Sequence, residues 1–248
     1  MNLEHLPTPL FIAHRGLSTR YPENTLAAFT AAVDAGAQMI ELDVCLTKDR
    51  QPVVIHDASV DRTTNGRGAV CSMTLDQVQR LDAGSWFDPR FGGECIPTLG
   101  QVLDAMRGRL LVNIEIKKEA FEAYGPADAV ERQVVALVQA RQMVDDVLIS
   151  SFEWQVLANI HAMAPGIALG LLSETSADDR LRRWIPRIGA YSWHPDHRVL
   201  TPPQVASLHG MGARVFPYAV DGTIDTRRML AMGVDGLIVD DPLQMVAG

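Results

Sequence analysis

The stretch Met39-Ile40-Glu41-Leu42-Asp43-Val44 decides the fold class of this chain. Successive side chains of a β-strand point to opposite faces, so Glu41 and Asp43 share one face and the apolar residues share the other. Strands of a parallel barrel are covered by helices outside and filled by side chains within. We therefore expect a buried strand whose two carboxylates point into the barrel and serve the function of the protein. The alternative places both carboxylates in solvent and only the apolar face in the core.

Short apolar runs rich in Val, Ile and Leu recur along the chain, each followed by a longer segment with helical spacing. The eight runs cover residues 10–13, 39–45, 110–116, 147–151, 167–172, 190–193, 213–219 and 236–239. Helix candidates between them include residues 24–35, 127–143, 154–163, 202–211 and 226–232. Eight strands with intervening helices favour a closed (β/α)8 TIM barrel over an open sheet.

This alternation stops between Asp57 and Pro97, where the sequence is rich in Gly, Asp, Thr and Arg. A short helical patch near residues 74–81 is the one regular feature predicted there. We interpret residues 57–97 as a small inserted subdomain after strand 2. Because no linker or tandem repeat divides the chain, we predict one barrel domain over residues 1–248.

The composition limits the partners of the protein. A chain of 248 residues with 47% hydrophobic and 21% charged residues fills one sizeable core. The 30 acidic and 22 basic residues give a net charge of -8, which repels nucleic acid and anionic membrane surfaces. We therefore expect neither a nucleic-acid partner nor stable membrane insertion. An anionic small-molecule substrate must be captured by local charges.

The cysteines and the amino terminus indicate the compartment. Cys45, Cys71 and Cys95 are an odd number without metal-type spacing, which favours reduced thiols over a disulfide framework. The first residues lack a basic region followed by an apolar one, as a secretory leader would have. These two observations predict a cytoplasmic protein.

The first predicted strand runs directly into His14-Arg15-Gly16. Active sites of (β/α)8 barrels are built at the carboxyl ends of the strands. A histidine there can exchange protons near neutral pH, and an arginine can bind two phosphate oxygens with its fork of N–H groups. The tripeptide alone is also compatible with an incidental His-Arg pair in a surface loop.

The third predicted strand sets Glu115 and Lys117 on one face. A third carboxylate thus joins Glu41 and Asp43. Neighbouring buried carboxylates repel each other and raise one another's pKa unless a cation neutralises them, and oxygen ligands suit Mg²⁺, Ca²⁺ or Mn²⁺. The alternative for Glu115 and Lys117 is a local ion pair at the sheet surface.

A second histidine, His56, ends a short apolar run that begins at Pro52. Two imidazoles could therefore flank one substrate as acid and base. Taken alone, His56 is equally a candidate for a hydrogen-bonded structural residue. Asn24 is predicted to be the N-cap of the first helix. Phe152 and Trp193 either line the pocket mouth or belong to the core.

Several motifs occur in a fixed order. They are His14-Arg15-Gly16, Pro22-Glu23-Asn24-Thr25, Glu41-Leu42-Asp43-Val44, His56-Asp57, Asp61-Arg62-Thr63-Thr64-Asn65-Gly66 and Glu115-Ile116-Lys117. In order and spacing this set resembles the signature of the glycerophosphodiester phosphodiesterase family. The later motifs that extend the similarity to nearly the whole chain are Ile96-Pro97-Thr98-Leu99, Ser150-Ser151-Phe152 and residues 234–242.

The resemblance implies a phosphatidylinositol phospholipase C-like barrel that hydrolyses glycerophosphodiesters to an alcohol and sn-glycerol 3-phosphate, with a place in lipid and glycerol metabolism. Each motif position then acquires a role. The implied roles are acid and base for His14 and His56, divalent-metal ligands for Glu41, Asp43 and Glu115, and phosphate binding for Arg15 and Lys117.

One stretch departs from the family pattern. Many relatives end the seventh strand with Trp-Thr-Val-Asn, whereas this chain has Tyr218 and Asp221 in Pro217-Tyr218-Ala219-Val220-Asp221. The catalytic set is untouched, and the difference concerns the pocket for the alcohol or the glycerol. Two other functions stay open: a lysophospholipase D-like activity, which needs an apolar groove, and a non-catalytic phosphate-binding barrel.

Overall fold

The computed structural model describes Leu3 and residues 8–245. Part of the amino-terminal stretch in which no leader was predicted therefore lies outside the described residues. Within the described part of the chain, no helix combines the length and the apolar character that a membrane crossing requires. The three cysteines are free thiols, of which Cys45 is buried and Cys71 and Cys95 are exposed.

Eight parallel strands form a nearly closed barrel. Their bounds are β1 Leu10–His14, β2 Met39–Leu46, β4 Leu111–Ile116, β5 Val147–Ser151, β6 Ala168–Ser173, β7 Ser192–Pro195, β8 Arg214–Val215 and β9 Gly236–Val239, while β3, Pro52–Val54, is antiparallel to β2. The order around the ring is β8-β7-β6-β5-β4-β2-β1-β9. The Ile238 N–H donates to the Pro217 carbonyl at 3.0 Å, which joins β9 to the chain just beyond β8. The prediction of a (β/α)8 barrel is confirmed.

In the part of the chain that the structure describes, eight α-helices lie between or beside the strands. Their bounds are α1 Leu26–Asp34, α2 Leu75–Gln79, α3 Leu99–Met106, α4 Val130–Ala140, α5 Trp154–Met163, α6 Asp179–Ile188, α7 Pro202–His209 and α8 Gly222–Ala231. Sequence patterns predicted neither α3 nor α6. Helix α8 begins four residues earlier than the predicted 226–232. The apolar run 213–219 contributes only the two residues of β8, since Pro217 lacks an N–H for the sheet ladder.

The predicted N-cap of α1 is wrong. The side chain of Thr25, not Asn24, accepts the helix N–H of Ala28 at 3.2 Å. Asn24 has a φ of 58°, and its side chain bonds the buried Asp43 instead. This left-handed backbone turns the amide away from the helix and into the barrel.

Two apolar regions hold the barrel together. The outward-facing residues of the strands, such as Ile40, Leu42 and Val44, are fully buried in the core that the strands share with the helices. A separate layer fills the barrel interior, and its members are Leu3, Leu10, Ile12, Met39, Leu111, Leu148, Phe216 and Ile238. Because the interior below the strand ends is filled, charged groups can meet only above this layer.

The segment between β3 and α3 packs against β2 and β3 in a small core separate from the two regions above. This core consists of Cys45, Val53, Ile55, Val60, Val70, Val78, Ala83 and Ile96. A β-bridge between Val53 and Thr98 fastens the base of the segment to the barrel. Helix α2 begins with a capping box formed by Thr74 and Gln77. Helix α3, which follows the segment, begins with a second capping box formed by Thr98 and Gln101.

Candidate active site

A cleft of about 960 Å³ opens at the carboxyl ends of the parallel strands. Its lining includes five of the seven residues that the sequence indicated for the site, namely His14, Arg15, His56, Glu115 and Lys117. The other two, Glu41 and Asp43, lie at its base and are almost fully buried. The strands thus bring residues from distant parts of the chain to one end of the barrel.

Three carboxylates form a tight cluster. One ligand oxygen each of Glu41, Asp43 and Glu115 lies within 4.8 Å of the others, and all three residues are buried. Asp43 and Glu115 are direct partners in the register of β2 with β4, which fixes their separation. All three donors are hard oxygens, and such a set suits Mg²⁺, Ca²⁺ or Mn²⁺.

The charges around this cluster also fit a cation. Burial together with the negative charge of Asp43 raises the pKa of Glu41 to about 8. Although burial opposes ionisation of Asp43, the positive charges of Lys117 and Arg15 lower its pKa to about 2. Burial and the charge of Asp43 also raise the pKa of Glu115, so two fixed cations do not fully compensate the three carboxylates. A bound divalent ion would supply the missing positive charge.

Lys117 sits between two of the carboxylates. Its Nζ lies 2.7 Å from Glu115 Oε1 and 3.2 Å from Asp43 Oδ1. Although burial disfavours the ammonium, the charges of Asp43 and Glu115 raise the pKa of Lys117. The ammonium is therefore a permanent positive charge at the cleft floor.

His14 reaches the cleft from the end of β1. Its Nδ1 lies 2.6 Å from Asp240 Oδ1, and its Nε2 lies 4.0 Å from Glu41 Oε2. Burial works against the imidazolium, but the hydrogen bond with Asp240 and the charge of Glu41 raise the pKa of His14 above its usual value. Asp240 follows β9, the strand next to β1 in the barrel.

His56 borders the cleft from the segment that follows β3. Its Nδ1 lies 2.7 Å from Asp57 Oδ1. Burial and the nearby charges of Arg15 and Lys117 lower the pKa of His56, against the opposing charge of Asp43. Both histidines thus have a carboxylate on Nδ1, and each can keep Nε2 for a substrate.

Sequence patterns missed three residues that hold the site together. Glu23 accepts from Nη1 of Arg15 at 2.8 Å, and Nδ2 of Asn24 donates to Asp43 at 2.9 Å. Asp240 is the third. Glu23 and Asn24 belong to a motif that was interpreted as a helix start. The sequence therefore indicated the motif but did not predict its contacts with Arg15 and Asp43.

The far side of the cleft is partly aromatic. The rings of Phe152 and Tyr218 meet edge to face, with centroids 5.9 Å apart, and both line the cleft. The Tyr218 hydroxyl donates to the Ser173 carbonyl at 3.2 Å. Trp193 is fully buried and belongs to the core. Asp221 is the N-cap residue of α8, and burial together with the charge of Asp240 raises its pKa.

A nearly closed parallel barrel with charged side chains gathered at the carboxyl ends of its strands defines a barrel enzyme. The sequence profile of the glycerophosphoryl diester phosphodiesterase family matches residues 14–244. The chain belongs to this family and is a phosphoric diester hydrolase.

Comparisons with individual proteins agree with this assignment. A glycerophosphodiester phosphodiesterase of Caldanaerobacter subterraneus is 42% identical over 238 residues, which are 96% of either chain. A glycerophosphodiester phosphodiesterase structure from Agrobacterium tumefaciens has a TM-score of 0.83 at 31% identity, over 96% of this chain and 99% of that one. An Oleispira antarctica phosphodiesterase in complex with the product sn-glycerol-3-phosphate has a TM-score of 0.85 at 26% identity, over 97% and 96% of the two chains.

Proposed function

We propose that this enzyme hydrolyses glycerophosphodiesters to an alcohol and sn-glycerol 3-phosphate in a reaction that depends on a divalent metal ion. The observation that carries the proposal is the buried cluster of Glu41, Asp43 and Glu115 at the base of a cleft that two histidines border. The product complex of the Oleispira antarctica relative supports the substrate class.

The three carboxylates would hold Mg²⁺, Ca²⁺ or Mn²⁺. When bound, such an ion supplies Lewis-acid stabilisation of charge on the phosphoryl oxygens. Arg15 and Lys117 carry the fixed positive charges of the cleft floor, and we assign them to binding the phosphate. Glu23 on Nη1 of Arg15 holds the guanidinium in place, so that a substrate meets an arginine already oriented.

We assign proton transfer to His14 and His56. One imidazole accepts a proton from the attacking hydroxyl and the other gives a proton to the leaving alkoxide. The attacking group is the glycerol hydroxyl next to the phosphate ester, which already lies beside the phosphorus. The first product is then a cyclic phosphate. Water opens it with the two histidines in exchanged roles.

We also propose that residues 1–248 make one barrel domain with an inserted subdomain at 57–97. Support comes from the core that strands and helices share and from the separate small core in which the segment after β3 packs against β2 and β3. In this arrangement the insertion supplies Asp57, the partner of the preceding residue His56, while the barrel supplies the carboxylates of the cluster.

The decisive experiment is a hydrolysis screen in the presence of Mg²⁺, Ca²⁺ or Mn²⁺. The substrates are glycerophosphocholine, glycerophosphoethanolamine, glycerophosphoglycerol and a lysophospholipid, and the release of sn-glycerol 3-phosphate is measured directly. We expect turnover of at least one glycerophosphodiester. Turnover of the lysophospholipid alone would replace the proposal with a lysophospholipase D-like activity, and phosphate binding without turnover would indicate a non-catalytic barrel.

A further inference from the structure

Arg62 bonds two carboxylates, and each of these carboxylates also bonds a residue of the candidate active site. Its Nε and Nη2 contact Asp57 at 2.7 Å and 3.2 Å, and its Nη1 and Nη2 contact Glu23 at 2.7 Å and 2.8 Å. Asp57 is the partner of His56, and Glu23 is the partner of Arg15. Arg62 itself is not among the residues that line the described cleft.

We propose that Arg62 is a positioning residue that orients His56 through Asp57 and Arg15 through Glu23. The inference rests on the proposed function, because it gives these two targets their roles in proton transfer and phosphate binding. One residue of the insertion would thereby set the geometry of both steps. This gives the Asp61-Arg62-Thr63-Thr64-Asn65-Gly66 motif a purpose that the catalytic residues alone leave unexplained.

The turn that carries Arg62 is held by its own hydrogen bonds. Asp61 Oδ1 accepts the Gly68 N–H at 2.7 Å, and the Thr64 hydroxyl donates to the Val60 carbonyl at 2.7 Å. Asn65 and Asp82 exchange two further bonds, from the Asn65 N–H and from the Asp82 N–H. The turn is therefore a fixed support from which the guanidinium reaches both carboxylates.

The chemistry of the contact requires an arginine. Two carboxylates that approach one point repel each other unless a cation lies between them. A planar guanidinium offers five N–H donors in a fork and serves both carboxylates in two pairs of bonds, whereas a lysine ammonium is a point charge. Without Arg62, among the side chains that the structure describes, Glu23 would keep only its bond to Arg15, and Asp57 only its bond to His56.

The first test compares Arg62→Ala and Arg62→Lys with wild type and with Arg80→Ala. Arg80 belongs to the same insertion and makes an exposed ion pair with Asp76, away from the site. We expect both Arg62 variants to lose roughly tenfold to a hundredfold in kcat/KM, with a lower kcat and a higher KM, while Arg80→Ala stays near wild type. Because 44% of the Arg62 side chain is exposed, added guanidinium at millimolar concentration should partly restore Arg62→Ala and leave Arg80→Ala unchanged.

The second test asks whether Arg62 acts through its two partners. We expect Glu23→Gln to raise mainly KM and Asp57→Asn to lower mainly kcat. Adding Arg62→Ala to the Glu23→Gln, Asp57→Asn double variant should then lower kcat/KM by no more than about twofold. A full, additive loss in that background, or near-normal kcat and KM in Arg62→Ala, would overturn the inference.

Two controls separate the possible failures. If wild type releases no sn-glycerol 3-phosphate from any glycerophosphodiester, the proposed function fails before Arg62 is tested. If Arg62→Ala is unfolded by circular dichroism, Arg62→Lys decides, alone and in the Glu23→Gln, Asp57→Asn background. A folded Arg62→Lys with wild-type kcat and KM would overturn the inference, because the forked guanidinium would then not position His56 and Arg15.

Discussion

Nδ1 of His14 lies 2.6 Å from Oδ1 of Asp240, although 226 positions separate the two residues in the chain. The contact arises because β1 and β9 are neighbours in the barrel. Burial opposes ionisation of Asp240, but the hydrogen bond with His14 lowers its pKa, so the carboxylate accepts and Nδ1 carries the hydrogen. The contact therefore fixes the tautomer of His14 and leaves Nε2 for the substrate.

We expect Asp240→Asn to lower kcat by roughly tenfold or more, because an amide no longer holds His14 in this tautomer. KM should change little, since Arg15 and Lys117 are untouched. Steady-state kinetics against a glycerophosphodiester measure both constants. Asp76→Asn, a change of the same kind on exposed α2, is the matched control. Equal kcat values in the two variants would remove Asp240 from the support of His14.

Replacement of either histidine by alanine should abolish most turnover. We expect His14→Ala and His56→Ala each to lose about a hundredfold or more in kcat, because each removes one proton transfer. Both variants should stay folded and bind metal, since neither imidazole is assigned as a ligand. Circular dichroism and metal titration calorimetry check this. A variant that keeps a near-normal rate would take its histidine out of the acid and base pair.

Removal of divalent ions should leave a folded but inactive protein. We expect a chelator to stop turnover and added Mg²⁺, Ca²⁺ or Mn²⁺ to restore it. Glu41→Gln, Asp43→Asn and Glu115→Gln should each raise the metal concentration needed for half-maximal activity, and calorimetry should show weaker binding. Full activity after thorough demetallation would contradict the assignment of the three carboxylates.

The identity of the nucleophile can be tested with a substrate analogue. A glycerophosphodiester that lacks only the hydroxyl next to the phosphate ester should bind but not be cleaved at a comparable rate, since an intramolecular attack depends on that hydroxyl. Competition against the intact substrate measures its binding, and phosphorus NMR follows its cleavage. Comparable cleavage of the two compounds would mean that water attacks directly.

His194 makes stability depend on pH. Complete burial lowers its pKa from 6.5 to about 3 in the folded protein, so only the unfolded chain takes up a proton between these values. Unfolding is therefore favoured as the pH falls below 6.5, by up to about 1.4 kcal/mol per pH unit. Urea unfolding at several pH values gives the free energy of unfolding as a function of pH. Below pH 6.5 this free energy should change less steeply with pH in His194→Phe than in wild type. Identical slopes would mean that His194 is protonated in the fold.

Most of the barrel could be predicted from sequence because each strand is a short apolar run between polar segments. Helix α6 was missed although Leu181, Ile185 and Ile188 have helical spacing, since Pro186 and several charged residues mask the pattern. Helix α3 was missed because it directly follows the irregular insertion. Both helices are short, and packing against the strands stabilises them more than their local sequence does.

The candidate site was predictable where it depends on strand periodicity. Glu41 and Asp43 alternate with apolar residues, so their shared face followed from the pattern alone. The contacts of Asp240 and Asn24 were not predictable in this way. They depend on closure of the barrel and on a left-handed backbone at Asn24, and neither leaves a periodic signal in the sequence.

The apolar layer inside the barrel and the charged rim above it occupy different levels of the same strands. Leu10, Met39 and Phe216 are fully buried in this layer, and none of them is among the described residues of the cleft lining. Selection for heat tolerance can thus act on the residues of the apolar layer, while selection for a different substrate head group acts on the residues of the cleft. A lineage that inherits this barrel can exchange the loops of its rim and keep the scaffold, which makes the enzyme a good starting point for diversification.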